Sequence, residues 1–470
     1  MEEESLVTVY AHINTVATGS TGGIMIKEHR ELLAAGEDSY AFWGRGREAE
    51  NPNEMKFASD AEVKLDVLQT RIDGKTGFHS KNATKRLLAR LDVIKPDVVH
   101  LHNLHGYYVN VEMLFEWLVK HECKVEWTLH DCWAFTGHCV YFTCANCSQW
   151  KEYCANPKPC SQLSTYPKTY SKSSCSWNFE QKKRLFNLLP AERMKIITPS
   201  QWLADLVRES FLKGYPIEVR HNTIDTSVFK PTPSDFRERC GISDRFMILG
   251  VASPWTERKG LSTFVRLAEL LDSKKYAIVL VGLSKKQIKL LSKQLVALPN
   301  TKNQEKLAED YSADGVSVHP DIEVAFGPTV VEPQVRSTPV VDAADSVCAE
   351  VADSAMDTVA PADFSTLEVT VIRLIGGGRM ILTTKTSSAI QLAAIYTSAD
   401  VFFNPTVEDN FPTVNLEAEA CGTPVVTYDT GGCSETISMP DSALVSAKDI
   451  QHEISRLEMR KSCNLKIANP

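Results

Sequence analysis

The 470-residue chain has no run of eighteen or more apolar residues, so no segment reads as a membrane-spanning helix. It also lacks an excess of positive charge. Fifty-one Lys and Arg stand against 59 Asp and Glu, a net −8, where a nucleic-acid binder would show a concentrated basic surface. The opening, MEEESLVTVYAHIN, is acidic where a secretory leader would be basic. The expectation is a cytoplasmic protein, with peripheral contact at the inner face of a membrane left open. No Asp-x-Asp stands at the end of a strand-like run, and no Ser-His-Asp or Cys-His constellation is evident.

Cysteine is sparse, 13 in all, but uneven: Cys132, Cys139, Cys144, Cys147, Cys154 and Cys160 crowd one segment. In a cytosolic chain such a cluster points to a metal site or to reduced thiols rather than to disulfides. Cys144, Cys147, Cys154 and Cys160 are the candidate set for a structural zinc, with His138 and Cys139 as two more potential ligands, because short spacings between thiolates suit a tetrahedral ion that pins an irregular loop. Hydrophobic content of 43% with 23% charged residues is that of a soluble globular protein with a sizeable core.

Apolar runs of strand length alternate with stretches of helical spacing. LVTVYAHI, DSYAFWG, DVVHLHN, KVEWTLH and KIITPS read as buried parallel strands, and KNATKRLLARLDVI and VEMLFEWLVKHE as helices. After the Pro-rich link Phe229 to Pro233 a second series begins with RFMILGVAS, LSTFVRLAELL and YAIVLVGL and resumes with DVFFNPT and TPVVTYD. Two such series imply an α/β protein of two Rossmann-like, doubly wound domains facing a cleft, 1–231 and 232–470. Residues of about 298–382, rich in Ala, Val, Asp, Ser and Pro, read as an insertion whose removal costs the second domain no element.

The stretch Asn404 to Glu435, NPTVEDNFPTVNLEAEACGTPVVTYDTGGCSE, has a degraded counterpart from His319 to Glu350 within that insertion. Leu307 and Leu392 correspond, as do Thr338 and Thr423, with the same offset (392 − 307 = 423 − 338 = 85). In the first copy Val324 replaces Asp409 and the paired glycines are gone, so the site is expected in the second copy alone. There a loop feeds a helix starting near Pro412 and Thr413, and free N–H groups at such a start favour phosphate oxygens. Glu417, about a turn further along that helix, would accept two hydrogen bonds from a ribose diol. Gly431 and Gly432 permit a close ligand approach.

These elements resemble the carboxyl-terminal domain of GT-B, family 4 retaining glycosyltransferases, in particular the bacterial capsular and exopolysaccharide branch. The resemblance extends over most of the chain outside the insertion. By that similarity Asp409 and Glu417 take the places of the family's two acids, the first near the transferred sugar and the second on the donor ribose. Arg258 and Lys259 match the cationic element that neutralises the donor diphosphate. Gly22 and Gly23 lie in the glycine-rich turn after the first strand, and His130 takes the place of a histidine over the donor sugar. His100, His102 and His105 are a further concentration at a strand end, fitting either an acceptor side or a polar loop.

What the resemblance implies is metal-independent transfer of a sugar, with retention, from a UDP- or GDP-sugar to a glycan or lipid-linked acceptor, no cofactor being required. The alternative is a GT-B-like protein that binds a nucleotide sugar without turnover, because of the internal duplication.

Overall fold

The computed structural model describes residues 7–272, 274–296, 362, 364, 367–373, 379–446 and 454. The degraded copy, His319 to Glu350, lies outside the described residues. Seven strands make the first sheet: β1 (Val9–Val16), β2 (Asp38–Arg45), β3 (Glu54–Lys56), β4 (Val98–Leu101), β5 (Lys124–Thr128), β6 (Met194–Thr198) and β7 (Ile217–Val219). Their order is β3-β2-β1-β4-β5-β6-β7, with every neighbouring pair parallel. Helices α1 (Gly19–Ala34), α2 (Asp60–Asp73), α3 (Lys81–Ile94), α4 (Val111–Lys120), α5 (Ser174–Leu185) and α6 (Gln201–Glu209) belong to the same half.

The second sheet contains β8 (Phe246–Val251), β9 (Tyr276–Val281), β10 (Val369–Arg373), β11 (Arg379–Thr383), β12 (Val401–Asn404), β13 (Val425–Tyr428) and β14 (Ala443–Val445). The order is β10-β11-β9-β8-β12-β13-β14, and β10 alone runs antiparallel to its neighbour. Helices α7 (Phe236–Cys240), α8 (Leu261–Leu270), α9 (Lys285–Val296), α10 (Ala389–Ser398) and α11 (Thr413–Ala420) accompany it.

The unbroken apolar runs explain these strands. All six residues of β9, YAIVLV, are buried, as a parallel strand covered on both faces requires. Two hydrophobic clusters accompany the second sheet, one around Ile248, Phe264 and Phe403 and one around Leu249, Tyr396 and Phe402. Ile248 and Leu249 are successive residues of β8, so their side chains leave opposite faces. Each such side chain contributes about 1.5–3 kcal/mol by leaving water. Both sheets are doubly wound, as the sequence implies. In such sheets ligands gather where the strand order reverses. Here those points are β1/β4 and β8/β12.

One expectation fails. Arg379–Thr383 falls at the end of the presumed insertion 298–382, yet it is the interior strand β11, parallel to β9 with Ile381 opposite Val279. Met380, Ile381 and Leu382 are fully buried. A short apolar run behind three glycines gives too little period to betray a central strand.

Candidate active site

At the β8/β12 reversal, two loops are stitched together. The turn Glu257–Lys259 follows β8, and its Arg258 carbonyl accepts hydrogen bonds from Val407 N–H (3.0 Å) and Thr406 Oγ1 (3.2 Å) after β12. Gly260 (φ +75°) permits this closeness, because a Cβ there would lie 2.5 Å from the Pro405 carbonyl oxygen. The result is an ion pair between Lys259 Nζ and Asp409 Oδ2, with Arg258 Nη1 3.9 Å from the same oxygen. Burial alone would raise the Asp409 carboxyl, but Lys259 and Arg258 outweigh it and hold the group below its ordinary value. The Arg258 guanidinium also lies over Tyr141 of the first domain, 4.6 Å from the ring centre.

Pro412 and Thr413 stand at the start of α11, which no side chain caps. On that helix Glu417 is pushed up to about 7 by burial, and Tyr396 Oη donates to its Oε2 at 3.2 Å. Gly431 (φ +58°) and Gly432 lie against the acidic loop. A Cβ on the first would meet the Asp409 carbonyl oxygen at 1.8 Å, and one on the second the Asn410 carbonyl oxygen at 1.9 Å. The Gly432 N–H donates to the Asp409 carbonyl at 3.1 Å. These glycines therefore let the two loops close on each other, a packing role beside any contact with a ligand.

From the first domain, the His130 backbone carbonyl accepts from Asn410 Nδ2 at 3.2 Å, which brings His130 to the acidic loop. Burial pushes the His130 imidazole down to about 4, so it is neutral near pH 7. Its Nε2 lies 3.1 Å from His102 Nδ1. The neighbouring Asp131 is hydrogen-bonded to His105 Nε2 at 2.7 Å. Gly22 is buried where α1 meets the end of β1, and a Cβ would lie 2.7 Å from the Ala17 carbonyl carbon. Gly23 has open space instead. His100 and His102 are buried between strand and helix and line no acceptor surface.

Asn410, Tyr141, Tyr396 and Glu435 escaped the sequence reading as functional positions. Asn410 and Glu435 fall inside the quoted motif, but nothing local announces that each reaches the other domain. Glu408, the neighbour of Asp409 in the acidic loop, accepts a hydrogen bond from Cys144 N–H at 2.7 Å.

That contact corrects the cysteine expectation. Cys144 is exposed and drawn toward the other domain, whereas Cys147, Cys154 and Cys160 line one cavity with Cys139, Cys175 and His138. Among the described residues, the group whose potential ligand atoms all lie within 4.8 Å of one another is another one: His12, Glu28, His100 and His102. The four-cysteine set read from spacing is not assembled.

Residues 372–459 match the family model for glycosyl transferases group 1. Over 211 residues the chain is 27% identical to WcaC of Escherichia coli (strain K12), a protein provisionally named as a colanic acid biosynthesis glycosyl transferase. That match covers 42% of this chain and 50% of WcaC, so the chain spans about half the length of that relative. Sucrose-phosphate synthase from Thermosynechococcus elongatus superposes with a TM-score of 0.58 at 14% identity, covering 96% of this chain and 90% of that one. Anabaena Alr3699/HepE, solved in complex with UDP-glucose, gives 0.50 at 12% identity, covering 97% and 90%. The fold is GT-B. Within the GT-B frame, both strand-order reversals carry the residues singled out above, Lys259 and Asp409 at one, Gly22 and His102 at the other. Among the described residues no helix is long and apolar enough to cross a membrane.

Proposed function

We propose that the chain transfers a sugar, with retention, from a nucleotide-sugar donor to a glycan or lipid-linked acceptor in polysaccharide synthesis. The observation that carries this reading is the meeting of Lys259 and Arg258 with Asp409 at the β8/β12 reversal, next to the uncapped start of α11. Two cations and a helix amino terminus suit a diphosphate, and they favour it most when it departs with its full charge. Glu417 is the ribose acceptor. In the transfer, the bond from the sugar's anomeric carbon to the diphosphate oxygen breaks, and one to the acceptor oxygen forms. The acceptor proton passes to the departing diphosphate, so no side-chain base is assigned. The likeness to WcaC supports the polysaccharide setting, and the UDP-glucose held by HepE puts UDP-sugars first among donors, with GDP-sugars next.

The test is donor hydrolysis and transfer with the full chain across UDP-, GDP- and ADP-sugars, comparing wild type with Lys259→Ala and Glu417→Ala. Turnover that collapses in both variants supports the reading. Variants matching wild type would overturn the site, and nucleotide binding without turnover on any donor would favour the non-catalytic alternative.

A further inference from the structure

Beneath helix α1, four side chains aim their polar atoms at one volume. His12 of β1 and His100 of β4 are directly opposite each other in the parallel ladder. His102, two residues beyond His100, faces the same side of the sheet. Glu28 reaches down from α1, its carboxylate Oε2 3.2 Å from His100 Nδ1, 3.7 Å from His102 Nε2 and 4.0 Å from His12 Nδ1. All three imidazoles are buried, and the Glu28 side chain is 26% exposed.

Proximity without pairing is the informative part. Glu28 Oε2, His102 Nε2 and both ring nitrogens of His12 have no hydrogen-bond partner. Buried polar groups in folded proteins are nearly always satisfied, and three of these orphaned atoms, Glu28 Oε2, His102 Nε2 and His12 Nδ1, converge on one another and call for a shared partner. A proton shared with Glu28 would answer one imidazole and leave the others. A cation answers those three together and takes His100 Nδ1 as a fourth donor, leaving only His12 Nε2 unanswered.

We propose that His12 Nδ1, Glu28, His100 Nδ1 and His102 Nε2 form a divalent-cation site, with zinc the fitting ion. Three imidazoles and a carboxylate are a zinc-type donor set. Bonds of about 2.0–2.1 Å place tetrahedral donors about 3.3 Å apart, and the carboxylate-to-imidazole separations of 3.2, 3.7 and 4.0 Å need only small closures. The outer contacts fit as well, since metal-bound imidazoles use their second nitrogen for an orienting hydrogen bond. His100 Nε2 has Thr128 Oγ1 at 2.8 Å, and His102 Nδ1 has His130 Nε2 at 3.1 Å. The partly exposed Glu28 edge is the entry path.

The site has a consequence at the cleft. With Nε2 on the cation, His102 must carry its proton on Nδ1 and donate it to His130 Nε2. His130 then keeps its own proton on Nδ1. The cation thus fixes the tautomer of a residue beside the acidic loop, independently of which reaction the cleft performs.

Zinc content of the full-length protein, loaded with Zn²⁺ and freed of excess ion, should be one equivalent at this site. It should be lost in His12→Asn and in His102→Gln, and kept in a Cys147→Ser/Cys154→Ser/Cys160→Ser variant, which separates this site from the thiol cavity. Cobalt substitution of wild type should give four-coordinate d–d bands that persist in the cysteine variant without sulfur-to-cobalt charge transfer. That spectrum decides the matter even where a histidine variant fails to fold. Wild type that retains no ion, equal content in wild type and His12→Asn, or an ion lost entirely with the cysteines would overturn the proposal and leave buried water as the shared partner.

Discussion

Glu435 of the second domain caps helix α6 of the first. Its Oε2 accepts from the Gln201 N–H at 2.6 Å and its Oε1 from the Trp202 N–H at 3.0 Å. Ser200 Oγ completes the cap by accepting from Leu203 N–H at 3.1 Å, while it donates to Asn410 Oδ1 at 2.5 Å. A carboxylate over free N–H groups at the positive end of a helix is charge-assisted twice. Glu435→Gln keeps one acceptor oxygen and loses the charge, so it should cost about 1 kcal/mol. Ser200→Ala removes the cap and the Asn410 link together and should cost about 1–2 kcal/mol. Denaturant midpoints check both, and a midpoint unchanged in Glu435→Gln would mean this contact does not hold the domains.

Glu417 gives a pH dependence of definite sign. Its folded value of about 7 stands above the ordinary 4.5 because burial disfavours the charge. A raised carboxyl contributes stability that is fully present below the unfolded value and is lost as pH rises through the folded one. The window is therefore from about 4.5 to about 7, and the contribution is about 3 kcal/mol at most. Glu417→Gln should flatten the stability curve across that window. Nucleotide binding should change in the opposite sense, because the ionised carboxylate is the better acceptor for two ribose hydroxyls. Affinity should rise with pH through about 7 in wild type, and calorimetry on Glu417→Gln should show no such rise.

Lys259 pairs with Asp409 before any donor arrives, so a diphosphate must compete for that ammonium. Lys259→Ala should weaken nucleotide-diphosphate binding by about 10- to 100-fold, as loss of a charge-assisted contact of about 1.5–3 kcal/mol implies. It also leaves Asp409 buried beside Arg258 alone, so the variant should melt earlier than wild type. Nucleoside without phosphate should bind both proteins equally. A uniform loss across nucleoside and diphosphate would point to collapse of the pocket instead.

At Gly431 two penalties coincide: the left-handed backbone and the approach to the Asp409 carbonyl. Gly431→Ala would place a Cβ 1.8 Å from that oxygen, and backbone cannot move aside as a side-chain tip can. We expect a loss of more than about 2–4 kcal/mol together with loss of nucleotide binding. Gly23→Ala, with open space around the Cβ, should leave stability within about 0.5 kcal/mol of wild type. Parallel melting curves test the contrast.

Much of this arrangement was legible because buried parallel strands write themselves as apolar runs. KNATKRLLARLDVI matches α3 residue for residue, and RFMILGVAS contains β8 with one residue before it and two after. The Lys259 and Asp409 positions followed from motif order, and their contact follows from the strand-order reversal. Tyr141 carried no signal, since its place under Arg258 depends on how an irregular loop crosses to the other domain. The histidine cluster was hidden for another reason. His12 and His100 are 88 positions apart (100 − 12) and meet only through the β1/β4 register. Of the four candidate cysteines, Cys144 alone was misplaced, because short spacing says nothing of direction and Cys144 turns toward Glu408.

β11 is where the sequence reading and the fold diverge most, and the divergence is testable. Its neighbours are β9 on one side, in parallel register, and β10 on the other, antiparallel. Removing it exposes the edge of β9 and the apolar faces that Met380 and Leu382 cover in the core. Excision of residues 298–382 should therefore yield no soluble protein. Ile381→Asp buries an unpaired carboxylate in the apolar cluster on one face of the sheet and should cost more than about 4 kcal/mol, with the same outcome. Excision of 301–360 leaves every described strand in the chain, and soluble protein with nucleotide binding is expected. Soluble, binding-competent protein from the longer excision would show that β11 is dispensable and would restore the original boundary of the insertion.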